Sequence, residues 1–545
     1  MARSVLKYWR NCVLTTLTTV VLAGIWYQAT HVSSIDQVGI RYRLKCTAVL
    51  SQMIYGYPRD YTLDLRLLKF LSSVPDADPY STKWSLERCA QVIKETVKAR
   101  EWQSSLPEPK LIADDKGDFD FVRLAFYLFG VRIQSIFYAF FLVLFIGVVV
   151  YILDYFKSPS RLILLLFFLL SLYITVFITN LTDQLQNLTD IRFFDVLSVV
   201  PLFHLMLVLL DRRSACIRSL RFALVQTLLM IFVYHVRSSS MWQLMCFFLL
   251  TGVISYRYWK ESSSLDSESG LGRFRRTMIR CGWPAALMIM GVISLRVYQR
   301  TNYNPDYFTE GYPRHTFWHN AFMGFACHPQ LAKEFQIFPI SDMNIILAAE
   351  RYLKDHQDRK RWAMLYGEFR IEHFRWGLYE TVVRDMFIAT CLKHPVQVLE
   401  TYLKYKPKIL VQQFLWAAGF LSPDIDSLYL YSHTLTPEGS RREKDLFYNP
   451  LRWEVLILIM TSLVIGYGDL RVHAREIISL AALTLCFSLI PGFFTYPVIH
   501  IIGLVFVTVA TFFYVTLSGV IIAAIRPVHH FKKPSQKGSR NHVTV

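Results

Sequence analysis

The sequence predicts an all-α polytopic membrane protein with about ten transmembrane helices and two mainly helical domains on the outer face. Three observations predict it. Of 545 residues, 53% are hydrophobic and only 18% are charged, against about 25% in an ordinary soluble domain. The apolar residues fall in blocks that approach the roughly 20 residues a helix needs to cross a bilayer. Basic residues also alternate sharply between successive loops.

The blocks are residues 11–29, 135–156, 162–179, 193–210, 222–236, 241–258, 282–297, 454–468, 477–492 and 497–525. Twenty-two Lys and Arg residues, from Arg3, Lys7 and Arg10 to Lys537 and Arg540, fall on one side of them; the short loops opposite carry only Arg192 and Arg237. Basic segments resist translocation, so both termini are predicted cytoplasmic. The net charge of +18 is thereby assigned to topology, and nucleic acid is excluded as a partner. No convincing small-residue cleavage site follows the first block, which reads as a retained signal anchor.

The chain divides into a cytoplasmic N-terminus and first span (1–29), a first outer domain (30–134), a six-span block (135–297), a second outer domain (298–453), three C-terminal spans (454–525) and a basic cytoplasmic tail (526–545). In the first outer domain, Leu86, Cys89, Val92, Ile93 and Val97 recur near helical spacing. The second has similar runs at 344–354 and 379–392. Residues 405–421 are the ambiguous block. A crossing there would break the alternation of every later loop, so an interfacial or re-entrant helix is expected. Cys46 with Cys89, and Cys327 with Cys391, share outer domains; an oxidising compartment permits one disulfide in each, and free buried thiols fit equally well.

The densest chemistry follows the seventh span, where Arg314, His315, Trp318, His319 and Asn320 occupy seven residues. On a helix His315 and His319 share a face. With Arg314 they suit a phosphate; a metal lacks a visible third ligand, and an interfacial aromatic anchor is the structural alternative. Asp36 lies just past the first span, where it is placed either as a general base toward a hydroxyl or as a helix N-cap. Arg41 and Arg43 follow it as phosphate contacts or as a solvated face. Asp183 and Asp190 pair carboxylates after the third span, in a pattern that can hold a divalent cation; no other cofactor is indicated. Asp195 enters the next span, and Asp118 and Asp120, before the second, rank as weaker candidates. Among His204, His235 and His500, only His500, near the outer end of the last span, ranks as a site residue.

His315-Thr-Phe-Trp-His319 followed by Gly324 resembles the His-x-x-Trp-His…Gly signature of a group of bacterial polytopic membrane proteins. Tyr379-Glu380, Arg384-Asp385 and His394-Pro395 through Leu403 extend the similarity over residues 310–405. That group resembles the GT-C superfamily of glycosyltransferases. The resemblance implies a multi-pass bacterial inner-membrane enzyme. It would move a sugar from a polyprenyl-phosphate donor to a lipid, glycan or protein acceptor on the periplasmic face. It also implies a catalytic acid in the first outer loop and a second in the next, places held by Asp36 and by Asp183 and Asp190. The usual adjacent acid pair is missing, because Gln37 follows Asp36. Asp36 is then expected to deprotonate the acceptor, while Arg314, His315 or His319 stabilises the departing lipid phosphate. Two other classes compete: an O-antigen ligase or polysaccharide polymerase, and a transporter or flippase. Uninterrupted spans and polar groups gathered at one surface disfavour the transporter.

Overall fold

The computed structural model describes residues 2–30, 46, 49–50, 53–54, 86–98, 115–181, 194–212, 216–263, 270–303, 317–337, 342–367, 374–417, 460, 470–495 and 504–525. All regular structure among these residues is helical. Six helices are long and apolar enough to cross a membrane: Gln134–Tyr155, Pro159–Val176, Ile217–Val236, Ser238–Ser262, Gly270–Asn302 and Ala474–Phe494. Two shorter apolar helices, Asp195–Leu210 and Thr508–Ile522, lie on further predicted spans. The block predicted at 454–468 lies outside the described residues, apart from Met460.

Helix α1 (Ala2–Thr30) covers the first predicted span. α2 (Leu86–Lys98) is the amphipathic stretch of the first outer segment, and α3 (Lys116–Phe129) follows it. α4 (Gln134–Tyr155) and α5 (Pro159–Leu181) form a hairpin; Pro159 opens α5, where a missing N–H costs no helical bond. A 3-10 turn, Asp195–Ser198, leads into α6 (Val199–Leu210). α7 (Ile217–Val236), α8 (Met241–Ser263), α9 (Gly270–Thr277) and α10 (Trp283–Asn302) complete this part. α9 runs through a π-helical turn, Met278–Gly282, directly into α10.

Position in the bundle follows from which faces are apolar. α6 is buried on every side from Val199 to Leu209, and 94% of the Pro159–Val176 window of α5 is buried. A helix apolar all round belongs in an interior. α5 lies against α1 and against α19 (Leu504–Ile525). Its hydroxyls return to their own helix, Ser171 to the Phe167 carbonyl and Thr175 to the Ser171 carbonyl, both at 2.8 Å. Thr508 of α19 also donates to Thr175 across 3.1 Å. Leu86, Cys89, Val92 and Ile93 of α2, with Cys46, Val49 and Leu50, are buried in the same core as the spans.

A second hydrophobic core gathers residues 322–409. It is built by α11 (Phe317–Met323), α12 (Pro329–Phe335), α13 (Asp342–Asp355), α14 (Arg359–Tyr366), α15 (Trp376–Lys393), α16 (Pro395–Glu400) and the start of α17 (Lys406–Ala417). A π turn, Thr401–Tyr405, precedes α17, which covers most of the block read as interfacial. α17 lies against α18 (Ala474–Phe494) and α19, and the Phe414 and Tyr514 rings pack at 4.4 Å.

Two polar knots sit within the span bundle. His204 Nε2 is 2.9 Å from Asp154, and its Nδ1 is 2.9 Å from Gln226 Nε2. Arg161 bridges Asp211 at 3.0 Å and Glu476 at 3.1 Å, tying α5 to the end of α6 and the start of α18.

Candidate active site

The richest cluster of chemically capable side chains lies where α3, α7 and α10 end together. α3 reaches α7 because residue 117 is glycine: a Cβ there would sit 2.0 Å from the His235 carbonyl oxygen. That approach lays Asp115 and Asp120 along the turn that runs from His235 to Ser240. Asp120 Oδ2 accepts from His235 Nε2 at 2.9 Å, from the Tyr303 hydroxyl at 2.8 Å and from the Tyr298 hydroxyl at 3.4 Å. Arg296 donates to Gln299 Oε1 at 3.3 Å, so the amide nitrogen of Gln299 faces His235 Nδ1 at 3.3 Å. Nδ1 is therefore the acceptor. The network assigns the imidazole proton to Nε2, facing the carboxylate.

Beside this pair lies a buried ionic lattice. The Asp115 carboxylate accepts from Arg237 Nη1 at 2.5 Å and from the Ser238 backbone N–H at 3.0 Å. Asp195, at the head of α6, accepts from Ser240 at 2.6 Å and from Ser239, with Arg237 Nε 3.7 Å away. One guanidinium thus holds an acid from the segment after the first predicted span and another from the segment after the third. The Arg fork suits two carboxylates at once.

A cavity of about 450 Å³ opens against this cluster, within the size range of ligand sites. It is open and almost wholly apolar, lined by Leu124, Leu228, Ile231 and Leu295 among others, with Asp120, Arg123, His235 and Tyr298 also in its lining. Leu124 and Leu228 are exposed at its mouth.

The His-x-x-Trp-His segment lies in the second core. It meets the Tyr379-Glu380 segment: His319 Nδ1 is 2.6 Å from the Tyr379 hydroxyl, and Glu380 accepts from the backbone N–H groups of Trp318 at 2.8 Å and His319 at 3.0 Å. Glu380 therefore caps the first turn of α11, as a carboxylate at a helix N-terminus should. Burial pushes the Glu380 carboxyl up, partly offset by those two N–H donors, and burial pushes the Tyr379 hydroxyl well above its ordinary value. His319 is itself buried; its Nε2 faces Asp342, an exposed residue, at 3.1 Å. Trp318 is half-buried against Phe387, and Asn320 is half-buried.

Gly324 is packed against a different partner. A Cβ there would lie 2.5 Å from Lys406 Nζ and 2.4 Å from the Thr495 carbonyl oxygen. Lys406 is fully buried and donates to the Phe493 carbonyl at 3.1 Å and the Phe494 carbonyl at 3.4 Å. It supplies donors to orphan carbonyls at the end of α18 and joins the second core to that helix. Its ammonium also lies 4.0 Å from the Tyr402 ring centre. Burial lowers its pKa to about 7.

Of the residues expected from sequence, His319, Trp318 and Asn320 share α11, whose first turn Glu380 caps. Asp36, Arg41, Arg43, Asp183, Asp190, Arg314, His315 and His500 lie outside the described residues. No group of three or more His, Cys, Asp or Glu among the described residues is arranged to hold a metal ion. Cys327 and Cys391 are free thiols; burial pushes the Cys327 thiol up to about 12. Sequence reasoning ranked Asp120 low and passed over His235. The available signal was His235 at a span end with Arg237, one of two basic residues in the short loops of the less basic side. Comparison with known protein families, characterised proteins and solved structures finds no match for this chain.

Proposed function

We propose that this chain is a bacterial inner-membrane glycosyltransferase that moves a sugar from a polyprenyl-phosphate donor to an acceptor hydroxyl on the periplasmic face. In this reading about ten spans cross the bilayer, both termini are cytoplasmic, and residues 30–134 and 298–453 lie outside. The observation that carries it is the Asp120–His235 pair in the lining of an open, largely apolar cavity. The likeness of residues 310–405 to the GT-C-like group supports it independently.

Asp120 is the base. Its carboxylate takes the proton of the acceptor hydroxyl, the hydroxyl oxygen bonds to the anomeric carbon, and the bond from that carbon to the lipid-phosphate oxygen breaks. The electron pair leaves on the phosphate, and the proton held by Asp120 passes to water. His235, Tyr298 and Tyr303 hold the carboxylate in place before and after transfer. His319 keeps α11 docked on α15 and acts as a positioning residue. A divalent cation at Asp183 and Asp190 would screen the leaving phosphate.

The test is donor consumption by the purified chain in lipid with a panel of polyprenyl-phosphate sugars. Asp120→Asn should lower the rate roughly a hundredfold, the usual weight of one acid–base group. Asp36→Asn, measured beside it, assigns the base between these two candidate acids. No turnover with any donor, or full activity in Asp120→Asn, refutes the corresponding part.

A further inference from the structure

The helix that joins the second core to the spans carries an apolar row on its outer side. α16, the π turn and α17 run as one continuous helix from Pro395 to Ala417, since Glu400, Thr401 and Lys406 at the junctions keep right-handed helical angles. Pro407 has no N–H for the Leu403 carbonyl, and the widened turn falls where that bond is missing. The helix meets the two cores in succession. Val398, Tyr402, Tyr405 and Ile409 pack in the second core, whereas Leu410 and Phe414 pack with the spans. Away from both, Val396, Leu399 and Leu403 are 64%, 58% and 69% exposed. They are three and four residues apart, so they share one face. Leu392, just before the bend at His394, is exposed as well.

The neighbours of this row fix its level. Tyr402 and Lys406 both sit on the last residues of α18, a helix long and apolar enough to span. The Tyr402 and Phe493 rings are 5.6 Å apart, and Lys406 donates to the Phe493 and Phe494 carbonyls. A spanning helix ends at the head-group layer, where aromatic side chains with a polar tip collect. Leu403 precedes Lys406 by about 4.5 Å of helix and Val396 precedes it by about 15 Å. The head-group layer is about 5–8 Å deep. The row therefore begins inside that layer, and it stays there when this part of the helix lies along the surface. Exposed Lys404 and Lys408 border it. Glu400, the one acid between His394 and Val411, faces His328 of the second core at 3.1 Å. Apolar side chains bordered by ammonium groups match a phospholipid surface, with the leucines between the heads and the lysines at the phosphates. A protein partner on the row would have to displace the lipid surface in which α18 ends.

We infer that Val396, Leu399 and Leu403 form a membrane-docking face that seats the second core on the lipid surface at the end of α18. The docking is independent of the sugar-transfer reading and of which compartment that surface faces.

The purified full chain is reconstituted in vesicles of phosphatidylglycerol and phosphatidylethanolamine. These carry a phospholipid with a photoactivated carbene precursor near the head end of one acyl chain. After irradiation and trypsin digestion, residues 394–404 form one peptide, bounded by Lys393 and Lys404. Residues 334–351 are the control from the same core, with Met343 and Leu347 47% and 41% exposed. The 394–404 peptide should carry label severalfold above the 334–351 peptide. Leu399→Asp with Leu403→Asp should abolish that excess and leave the label on residues 222–237 of α7 unchanged, which shows the protein still inserted. Both leucines are exposed, so the fold tolerates the change. Label on 394–404 no higher than on 334–351 overturns the inference, as does an undiminished excess in the double variant. Protection of 394–404 that disappears when the protein is diluted in lipid assigns the row to a second copy and also overturns it.

Discussion

Gly117 is the residue on which the geometry of the Asp120–His235 pair depends. Adding one methyl group in Gly117→Ala puts a carbon 2.0 Å from the His235 carbonyl oxygen, 2.3 Å from its carbonyl carbon and 2.6 Å from the Val236 nitrogen. All three atoms are backbone, so no side chain can swing aside. Ordinary contact begins near 3.4 Å, which requires the start of α3 and the end of α7 to part by about 1.4 Å. Asp120 is one turn from residue 117 on the same helix and moves with it. Its 2.9 Å bond to His235 then lengthens past 4 Å on that shift, beyond hydrogen-bond range. Misplacement of a reacting group by 1 Å costs on the order of a hundredfold in rate, and overpacking costs about 1–3 kcal/mol in stability. The assay pairs donor turnover with a thermal midpoint in detergent. Gly117→Ala should lose most activity while Asp120→Asn, which keeps the packing, loses activity with a smaller fall in midpoint. A Gly117→Ala protein with wild-type turnover and midpoint would refute the claim that this close approach sets the site.

Three further outcomes are expected. Arg237→Gln leaves Asp115 and Asp195 buried without their shared cation, which should lower stability by about 3–5 kcal/mol, and adding Asp195→Asn should recover part of the loss; no recovery in the double variant argues against a shared cation. Tyr379→Phe deletes the 2.6 Å contact to His319 Nδ1 and should cost about 1–3 kcal/mol as a buried unmade hydrogen bond, read as a lower thermal midpoint with turnover retained in the folded fraction. Lys406 has a folded pKa of about 7 against 10.5 when exposed, so between those values the unfolded chain holds a proton that the folded chain lacks, and stability rises with pH. From pH 6 to 9 the gain is on the order of 2–3 kcal/mol; Lys406→Met should remove that slope, and an unchanged slope would assign it elsewhere.

The long apolar helices were legible because they depend on composition in long blocks, which no tertiary contact can rearrange. Six of the predicted spans coincide with helices long and apolar enough to cross a membrane, and in the amphipathic stretch of the first outer segment the helix Leu86–Lys98 buries Leu86, Cys89, Val92 and Ile93. The second core was legible in part: the Trp318-His319 and Tyr379-Glu380 patterns are far apart in sequence, yet their side chains and backbone groups touch. The Asp120–His235 pair was not legible, since 115 residues separate its members and each alone reads as a common interfacial residue. Gly117 was equally silent, because only the neighbouring backbone reveals why a side chain is forbidden there.

One pattern joins the His235–Asp120 and His204–Asp154 pairs and bears on how each works. In both, a glutamine amide fixes the histidine: Gln299 at His235 and Gln226 at His204. Gln226 Nε2 also donates to the Gly147 carbonyl at 2.9 Å, which can only accept. Its nitrogen must therefore face His204 Nδ1, and the proton must sit on Nε2 toward Asp154. Protonating either ring nitrogen held this way would set an N–H against an NH₂ group. Each glutamine thus favours the tautomer whose Nε2–H points at the acid. The difference between the pairs is access. His204 is fully buried and is enclosed by Tyr151 and Tyr155, where a fixed donor–acceptor pair stitches α4 to α6. Asp120 and His235 line a cavity with an open mouth, where the same pair holds a carboxylate within reach of whatever enters. Gln299→Glu would put a group that can only accept opposite Nδ1, drawing the ring proton there and leaving Nε2 with no hydrogen for Asp120. The 2.9 Å bond is then lost, and turnover should fall. Full turnover in Gln299→Glu would show that the tautomer at His235 does not hold the base.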